Sequence, residues 1–363
     1  ITALAVHPKI DNTLNTAWND ILQLEKNQKQ QTDEKLDTPF AISDRINSLL
    51  RECINIGTLP FSIIARHGFI AESLLRSAIN KKSISRARVD ELRNSINTIS
   101  SDMSNDFYNV CNGTFSQSDF IEIYGHLRPN SYDVLSPTYK NREDLFAGNP
   151  QKPSIHNKFT LTNEERKAIN ELIANNNLEV FDADDLIAYA AKAIKGREYA
   201  KFIFTRHLSS ILELTADWGK VQGFSREEMA MLSIDEVLSV LYAPLKDFSE
   251  NFYKRRIEKA RHEYDVAQSF KLSYLIRSTR DIFVVPQQRS SPNFIGIGRI
   301  EKEIVLLTPH EKTIPDLTDK LVCIEGADPG YDWIFSRNIA GLITKYGGAN
   351  SHMAIRCAEY KLP

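Results

Sequence analysis

The chain has 363 residues, and its 45 Lys and Arg side chains nearly balance its 47 Asp and Glu side chains, which gives a formal net charge of −2 at pH 7. This length suffices for two domains with sizeable cores, and the absence of a basic excess argues against a nucleic-acid partner. No apolar run reaches the roughly 18 residues of a membrane-spanning helix, and no signal peptide opens the chain at Ile1. The scattered cysteines have no metal-ligand spacing and are typical of reduced thiols in a cytoplasmic protein; they are Cys53, Cys111, Cys323 and Cys357.

The first third of the chain has helical periodicity. Leu14, Trp18, Ile21 and Leu24 recur at three- and four-residue spacing, and similar patterns continue as far as residue 124. His67 falls inside one of these patterns, and we expect it to be a hydrogen-bonded helix histidine near the surface. The predicted helices span residues 11–29, 42–56, a stretch opened by Pro60, 85–110 and 116–124.

Residues 124–139 interrupt the helical pattern with glycine, two prolines and closely spaced polar and aromatic side chains, a composition typical of a functional loop. His126 and Asp133 can orient or deprotonate a substrate hydroxyl, and the planar guanidinium of Arg128 can pair with a carboxylate or a phosphate. The alternative is a structural loop in which His126 bonds to the backbone and Arg128 pairs with Asp133. The residues leave both interpretations open.

Helical patterns resume after a polar connection over residues 141–158. Capping residues predict helices that start after Thr162, Ser225 and Ser233. A longer pattern covers residues 183–219, with a kink or a join at Gly196, and a highly charged pattern of mixed sign covers residues 244–277. The basic side chains of the 183–219 helix form either a solvated face or one wall of an anion-binding cleft; they are Lys192, Lys195, Arg197, Lys201, Arg206 and His207.

The periodicity changes near residue 281. Short apolar runs predict strands over residues 282–286, 294–300, 303–307, 321–324 and 340–343, with a polar linker over 287–293 and a short helix over 328–335. The sequence therefore predicts a mostly α fold. An all-α helical domain over residues 1–285 precedes a small, C-terminally truncated α/β domain over residues 286–363.

The last strand leads into a motif with a chemical implication. Gly347 and Gly348 permit a tight turn, Ser351 occupies a helix N-cap position, and His352 follows it directly. A helix N-terminus disfavours the imidazolium, so we expect a neutral, nucleophilic ring near pH 7. The same N-terminus would stabilise a phosphoryl group on that ring. The alternative is a helix-capping histidine without phosphate chemistry.

The pattern Thr344-x-x-Gly347-Gly348-x-x-Ser351-His352-x-Ala354-Ile355 resembles the phosphohistidine motif of the phosphoenolpyruvate-utilising enzymes. The resemblance implies a swivelling domain in which His352 is the catalytic carrier and Gly347, Gly348, Ser351 and Thr344 hold the phosphate. It leaves Arg356 either as a phosphate contact or as a surface cation. Asn350 stands where pyruvate phosphate dikinases often have a regulatory threonine, so we do not expect that control here.

The resemblance also implies an activity. His352 would carry a phosphoryl group from an ATP site to an acceptor such as pyruvate, as in a phosphoenolpyruvate-synthase-like pyruvate, water dikinase. One alternative is a kinase of another small hydroxyl compound, like rifampin phosphotransferase. In that case the helical domain and residues 125–133, which partly resemble that family's Gly-His-Arg-Gly-Pro segment, would hold the acceptor. Another alternative is a non-catalytic helical interaction module.

The chain reads as an internal piece of a larger enzyme. The resemblance implies that an ATP-grasp domain elsewhere in the full-length chain binds ATP and Mg²⁺, so this fragment alone would not turn over. The expected partners are that domain and a small-molecule acceptor, with no nucleic acid, no membrane and no resident metal or cofactor within residues 1–363.

Overall fold

The computed structural model describes residues 12–31, 36–142, 144–147, 158–177, 182–242, 250–270, 272, 275–283, 292–295, 298–311, 313–348 and 351–363. Its elements confirm a helical region followed by a small parallel sheet with one further helix. None of the described helices is long and apolar enough to cross a membrane.

The α-helices, in chain order, are α1 Thr13–Gln30, α2 Pro39–Cys53, α3 Leu59–Asn80, α4 Arg86–Ser95, α5 Ile99–Cys111, α6 Gln117–Tyr124, α7 Asn163–Asn175, α8 Ala183–Val221, α9 Arg226–Met229, α10 Ile234–Leu238, α11 Glu250–Gln268 and α12 His352–Glu359. The strands are β1 Ile304–Leu307, β2 Leu321–Gly326 and β3 Gly341–Tyr346. A five-residue π-helical turn, Ile54–Thr58, joins α2 to α3, and a 3-10 helix, Pro329–Arg337, lies between β2 and β3.

Helix α8 organises the helical region. It begins at a capping box in which Asp182 and Asp185 satisfy each other's backbone N–H groups, and it packs against α1, α2 and α3. Gly196 is not a join between two helices, because α8 runs unbroken through it. A Cβ atom at that position would lie 3.0 Å from side-chain carbons of Ile64 and Trp18, so glycine lets three helices approach closely.

The small sheet has the order β1-β2-β3, and both pairs are parallel. Ile304 pairs with Leu321, and Leu321 pairs with Gly341, so the three strands start at the same level. One buried apolar cluster runs from the helices into this sheet, through residues such as Phe107 and Trp333. The sheet is therefore seated on the helical region in this arrangement.

Several predicted helices are confirmed, but their bounds differ. The predicted helix over residues 85–110 is two helices, because the chain leaves helical geometry at Ile96 and Thr98 caps a new start by accepting from the Ser101 N–H. The charged helix predicted over 244–277 is helical from Glu250 to Gln268, and residues 244–249 lie outside the described part. His67 is buried rather than near the surface, and its ring lies 2.9 Å from both Thr13 Oγ1 and the Tyr189 hydroxyl.

Two predicted strands are wrong where the structure describes them. Thr279–Ile282 is a 3-10 turn, followed by a bend at Phe283, and residues 284–286 lie outside the described part. No strand forms at residues 294–295 or 298–300, where Phe294 is exposed; residues 296–297 are outside the description. Apolar runs of this length form strands only where a neighbouring strand pairs with them. The boundary at residue 285 stays a prediction, because residues 284–291 are not described.

Candidate phosphohistidine site

The motif around His352 folds locally as predicted. Strand β3 ends at Tyr346, and the side chain of Ser351 accepts a hydrogen bond from the Ala354 N–H at 3.3 Å, which caps α12. A Cβ atom on Gly347 would lie 3.0 Å from the hydroxyl oxygen of Thr344, so the glycine brings the turn close to that side chain. A Cβ atom on Gly348 would meet open space, and residues 349–350 lie outside the described part. Phosphate binding by Thr344, Gly347, Gly348 and Ser351 stays a prediction.

Two carboxylates flank the His352 ring. Its Nε2 atom lies 2.7 Å from Asp332 Oδ1, and its Nδ1 atom lies 3.3 Å from Glu198 Oε2. Asp332 belongs to the 3-10 helix between β2 and β3, whereas Glu198 belongs to α8 in the helical region. The His352 side chain is only 12% exposed, so both ring nitrogens are committed to carboxylates in this arrangement.

This environment corrects the expectation of a neutral ring. Burial opposes the charged form of His352, but the carboxylates of Asp332 and Glu198 outweigh it and raise the pKa of His352 to about 9. The two contacts outweigh the helix N-terminus, whose effect is worth only about 1 kcal/mol. His352 is therefore an imidazolium at neutral pH while it is seated here, and it has no free lone pair for nucleophilic attack.

The two carboxylates stay ionised. Burial opposes ionisation of Glu198, but its bond to His352 and the nearby Arg197 guanidinium lower the pKa of Glu198 to about 2. Burial also opposes ionisation of Asp332, and the charges of His352 and Arg356 lower the pKa of that carboxyl. His352, Glu198 and Asp332 thus form a buried group of charges, and the charged state of each is stabilised by the other members.

We expect the stability of this arrangement to depend on pH through His352. Its pKa is raised from 6.5 to about 9, so the stabilisation is fully present below pH 6.5 and is lost as the pH rises through 9. The shift corresponds to roughly 3 kcal/mol. The measurement is the free energy of unfolding at pH 6.5 and pH 9.5, with His352→Gln as the control that lacks the titrating ring. An equal pH dependence in both proteins would contradict the assignment.

Arg356 is not a surface cation. It is buried, donates to Ser104 Oγ of α5 at 2.6 Å, lies 3.6 Å from Asp332 Oδ1, and stacks on the rings of Phe335 and Tyr360. Its reach to α5 means that Arg356 joins the two regions of the molecule. A contact from Arg356 to a phosphate on His352 stays a prediction.

A cavity lies beside the two carboxylates, where the sheet region meets α5, α6 and α8. The cavity is partly open, and the space between its walls, counted together with open solvent, is about 460 Å³. Its wall combines apolar side chains with a polar end formed by Glu198, Asp332 and Lys201. The apolar side chains include Ile99, Met103, Leu127 and Phe202. The cavity therefore places apolar side chains next to the carboxylates that hold His352.

The basic side chains of α8 divide between the two predicted roles. Lys201 lines this cavity, which fits the cleft interpretation, whereas Lys192 and Lys195 are exposed. His207 is buried at the other side of the helix, where its Nε2 atom lies 2.7 Å from Glu52. The sequence predicted Lys201 among the basic side chains of α8. It gave no role to Glu198 or Asp332, because neither residue lies in a local motif with His352.

The loop residues singled out from the sequence do not form one site. His126 is half-buried, with Nε2 lying 3.2 Å from the Phe202 carbonyl oxygen, and desolvation together with the nearby Arg206 lowers the pKa of His126 to about 3. Arg128 pairs with the carboxylate of Glu213 at 2.8 Å. Its contact with Asp133 is to the backbone carbonyl oxygen and not to the carboxylate.

The carboxylate of Asp133 lies 2.6 Å from His310 Nε2. These contacts correspond to the structural alternative, with Glu213 in place of Asp133 as the carboxylate partner of Arg128. Substrate binding by His126, Arg128 and Asp133 stays a prediction without support from the geometry. Among the described residues, no group of His, Cys, Asp and Glu side chains could hold a metal ion.

Comparison with known proteins bears on the C-terminal region. Residues 318–363 match the family model described as "PEP-utilising enzyme, mobile domain". The matched segment contains β2, β3, α12 and His352. No curated protein matches the chain. This match supports a relation of residues 318–363 to the mobile domain of phosphoenolpyruvate-utilising enzymes, and it supports a phosphotransferase-type function.

Proposed function

We propose that His352 carries a phosphoryl group from ATP, bound by another part of the full-length enzyme, to an acceptor oxygen in the cavity beside Glu198. The observation that supports this most strongly is the position of His352. Its ring is seated against the helical region between Asp332 and Glu198, and both carboxylates also line the cavity. An acceptor in the cavity would be held next to the carrier, which is what phosphoryl transfer needs.

The charge on His352 assigns this arrangement to the stage after transfer. During transfer, the acceptor oxygen forms a bond to phosphorus while the P–N bond to His352 breaks, and the electron pair of that bond returns to the ring. The ring nitrogen held by Asp332 keeps its proton throughout, so loss of the phosphoryl group alone would leave a neutral imidazole. The acceptor hydroxyl gives its proton to the carboxylate of Glu198, which passes it to the nitrogen that the phosphoryl group has left. The product is an imidazolium between two carboxylates, the state that the pKa of about 9 favours. Lys201 at the cavity wall neutralises part of the phosphoryl charge.

The same charge explains why the carrier must move. An imidazolium has no lone pair to attack ATP, and loss of the Glu198 contact would lower the pKa of His352 and favour the neutral, nucleophilic ring. Asp332 belongs to the same region as His352 and travels with it, whereas Glu198 stays on α8. Movement of the domain therefore removes one of the two carboxylates that hold the proton.

Two acceptors remain candidates. Pyruvate, phosphorylated on its enol oxygen, would make the enzyme a phosphoenolpyruvate-synthase-like dikinase. A larger hydroxyl compound would make it a kinase built like rifampin phosphotransferase. The apolar wall of the cavity, with Ile99, Met103, Leu127 and Phe202, favours the larger compound, because pyruvate offers little apolar surface to cover it.

The test is phosphoryl transfer to the full-length enzyme from ATP labelled separately at the β and γ positions. We expect acid-labile, base-stable label on His352 from the β position, with release of AMP and of phosphate from the γ position. Pyruvate and hydroxyl compounds with an apolar body are then compared by their ability to remove the label. Label that stays off the protein under all conditions would contradict the carrier role and favour a non-catalytic interaction module.

A further inference from the structure

Arg356 lies one helical turn after His352 on α12, on the same side of that helix. Its Nε atom lies 3.6 Å from Asp332 Oδ1, and His352 Nε2 lies 2.7 Å from the same oxygen atom. The carboxylate of Asp332 is therefore shared between the carrier ring and a guanidinium. The side chains of Asp332 and Arg356 are only 2% and 4% exposed, so water does little to compensate either charge.

Two stacked aromatic rings hold the Arg356 guanidinium beside that carboxylate. The rings of Phe335 and Tyr360 have planes 3° apart and centres separated by 5.3 Å. The guanidinium carbon of Arg356 lies 5.7 Å from the ring centre of Phe335 and 5.0 Å from that of Tyr360. A planar guanidinium stacks well on aromatic rings, and it keeps its charge at every pH at which proteins are folded. The cation beside Asp332 is therefore a permanent one.

This group of side chains lies in the same part of the chain as the carrier. Asp332, Phe335, Arg356 and Tyr360 all fall within residues 329–363, together with His352. Glu198, by contrast, belongs to α8. The proposed movement of His352 would therefore separate the ring from Glu198 and leave it with Asp332 and Arg356.

The charge on Asp332 matters most when the ring of His352 is neutral. A ring that attacks ATP must have lost one proton, and this loss leaves the Asp332 carboxylate buried without the imidazolium. A buried carboxylate without a compensating cation is unfavourable, so Asp332 alone would hold the proton on the ring. Arg356 supplies a positive charge that stays when the ring loses its own. It thereby reduces the free-energy cost of forming the neutral, nucleophilic ring.

We propose that Arg356 is a positioning residue for the carrier, which compensates the Asp332 carboxylate and allows His352 to become neutral once it is away from Glu198. The inference rests on the proposed function, in which a neutral ring attacks ATP. Further charged or titratable groups that face this site lie in the helical region and would not move with the ring; they are Glu198, Arg197, Lys201 and Tyr139.

The test titrates the His352 ring in this chain by NMR, with isotope-labelled histidine and with His352→Gln to identify the signal. Every titration is done in the Glu198→Gln background, because this substitution removes the carboxylate that α8 contributes to the ring. Arg356→Gln removes the guanidinium charge, and Arg356→Lys keeps a positive charge. The matched control is Lys302→Gln, which removes the charge of an exposed lysine before β1.

Circular dichroism checks that each variant folds. If Arg356→Gln does not fold, Arg356→Met takes its place, because a flexible apolar side chain can fill the space on the aromatic rings without a charge.

We expect Arg356→Gln to raise the pH midpoint of the His352 titration by about one unit or more relative to Lys302→Gln, because charges interact more strongly in a buried group than at the surface. Arg356→Lys should restore most of the lower midpoint. The role of Arg356 is ruled out if the uncharged variant titrates like Lys302→Gln, or if Arg356→Lys moves the midpoint as far as the uncharged variant does.

A second measurement uses the full-length enzyme and follows the pH dependence of His352 labelling from ATP. Arg356→Gln should move this dependence to higher pH by a similar amount, whereas a merely structural role would lower labelling equally at every pH. The NMR titration does not depend on phosphoryl transfer. A raised midpoint without any labelling of the wild type would therefore contradict the proposed function and still support charge compensation by Arg356, and labelling with an unchanged midpoint would do the reverse.

Discussion

Replacement of His352 by alanine is expected to abolish phosphoryl transfer by the full-length enzyme. The covalent step needs a ring nitrogen, and no described side chain within hydrogen-bonding distance of the ring can replace it: the ring contacts the carboxylates of Asp332 and Glu198. Residues of a covalent mechanism typically contribute several orders of magnitude in rate, so we expect activity to fall by roughly 10⁴-fold or more. The measurement is formation of acid-labile label on the protein together with product formation from each acceptor.

The matched control is His262→Ala, which removes an exposed histidine from α11. It should label and turn over like the wild type. If His352→Ala retains the label, the phosphoryl group resides on another residue, and the family resemblance does not describe the chemistry of this chain. Since the substitution also removes an imidazolium from between two carboxylates, its folding must be verified by circular dichroism before the loss is interpreted.

Replacement of Glu198 by glutamine is expected to separate the two half-reactions. In the proposed cycle, Glu198 contacts His352 only while His352 lies against α8, so phosphorylation of His352 at an ATP site elsewhere should proceed. Discharge to the acceptor loses the carboxylate that takes the hydroxyl proton, and general-base catalysis typically contributes about 10²–10⁴-fold. The expected result is accumulation of phosphohistidine with slow release of label in the presence of acceptor.

Asp217→Asn provides the control for Glu198→Gln. Asp217 is an exposed acid on the same helix, so its substitution removes one carboxylate from α8 without a contact to His352. It should discharge label at the wild-type rate. An equal discharge rate for Glu198→Gln and Asp217→Asn would remove Glu198 from the transfer step, and equal slowing of both half-reactions would make its role structural.

The sequence predicts those features that depend on neighbours along the chain. The capping of α12 by Ser351, the turn at Gly347 and the apolar runs that form β2 and β3 follow from local residue types, whereas the parallel pairing of the strands does not. The charge of His352 could not be predicted in this way, because it depends on Asp332, which lies 20 residues away, and on Glu198 in a different region. A neutral ring is the correct expectation for a helix N-terminus alone, and tertiary contacts reverse it.

The loop at residues 124–139 shows a second limit of prediction from residue types. Its composition of His, Arg, Asp, Gly and Pro is typical of a binding site, and the loop does bind, but its partner is the rest of the chain. His126 and Arg128 satisfy buried backbone and carboxylate groups of α8, while Ser131 and Tyr139 face the mobile domain. Residue type alone does not distinguish a site for a ligand from a site for another segment of the same molecule.

The division of the two carboxylates between the regions links motion to proton uptake. Glu198 belongs to the 39-residue helix α8, whereas Asp332 belongs to the region of His352 and would accompany the ring in the proposed movement. In the proposed cycle, seating adds the Glu198 contact to the Asp332 contact that stays with the ring, so arrival at α8 would raise the pKa of His352 and take up protons from solution, and departure would release them. The enthalpy of seating, measured by calorimetry, would therefore vary with the ionisation enthalpy of the buffer. The pH would also shift the equilibrium between the position of His352 at α8 and its position at the ATP site.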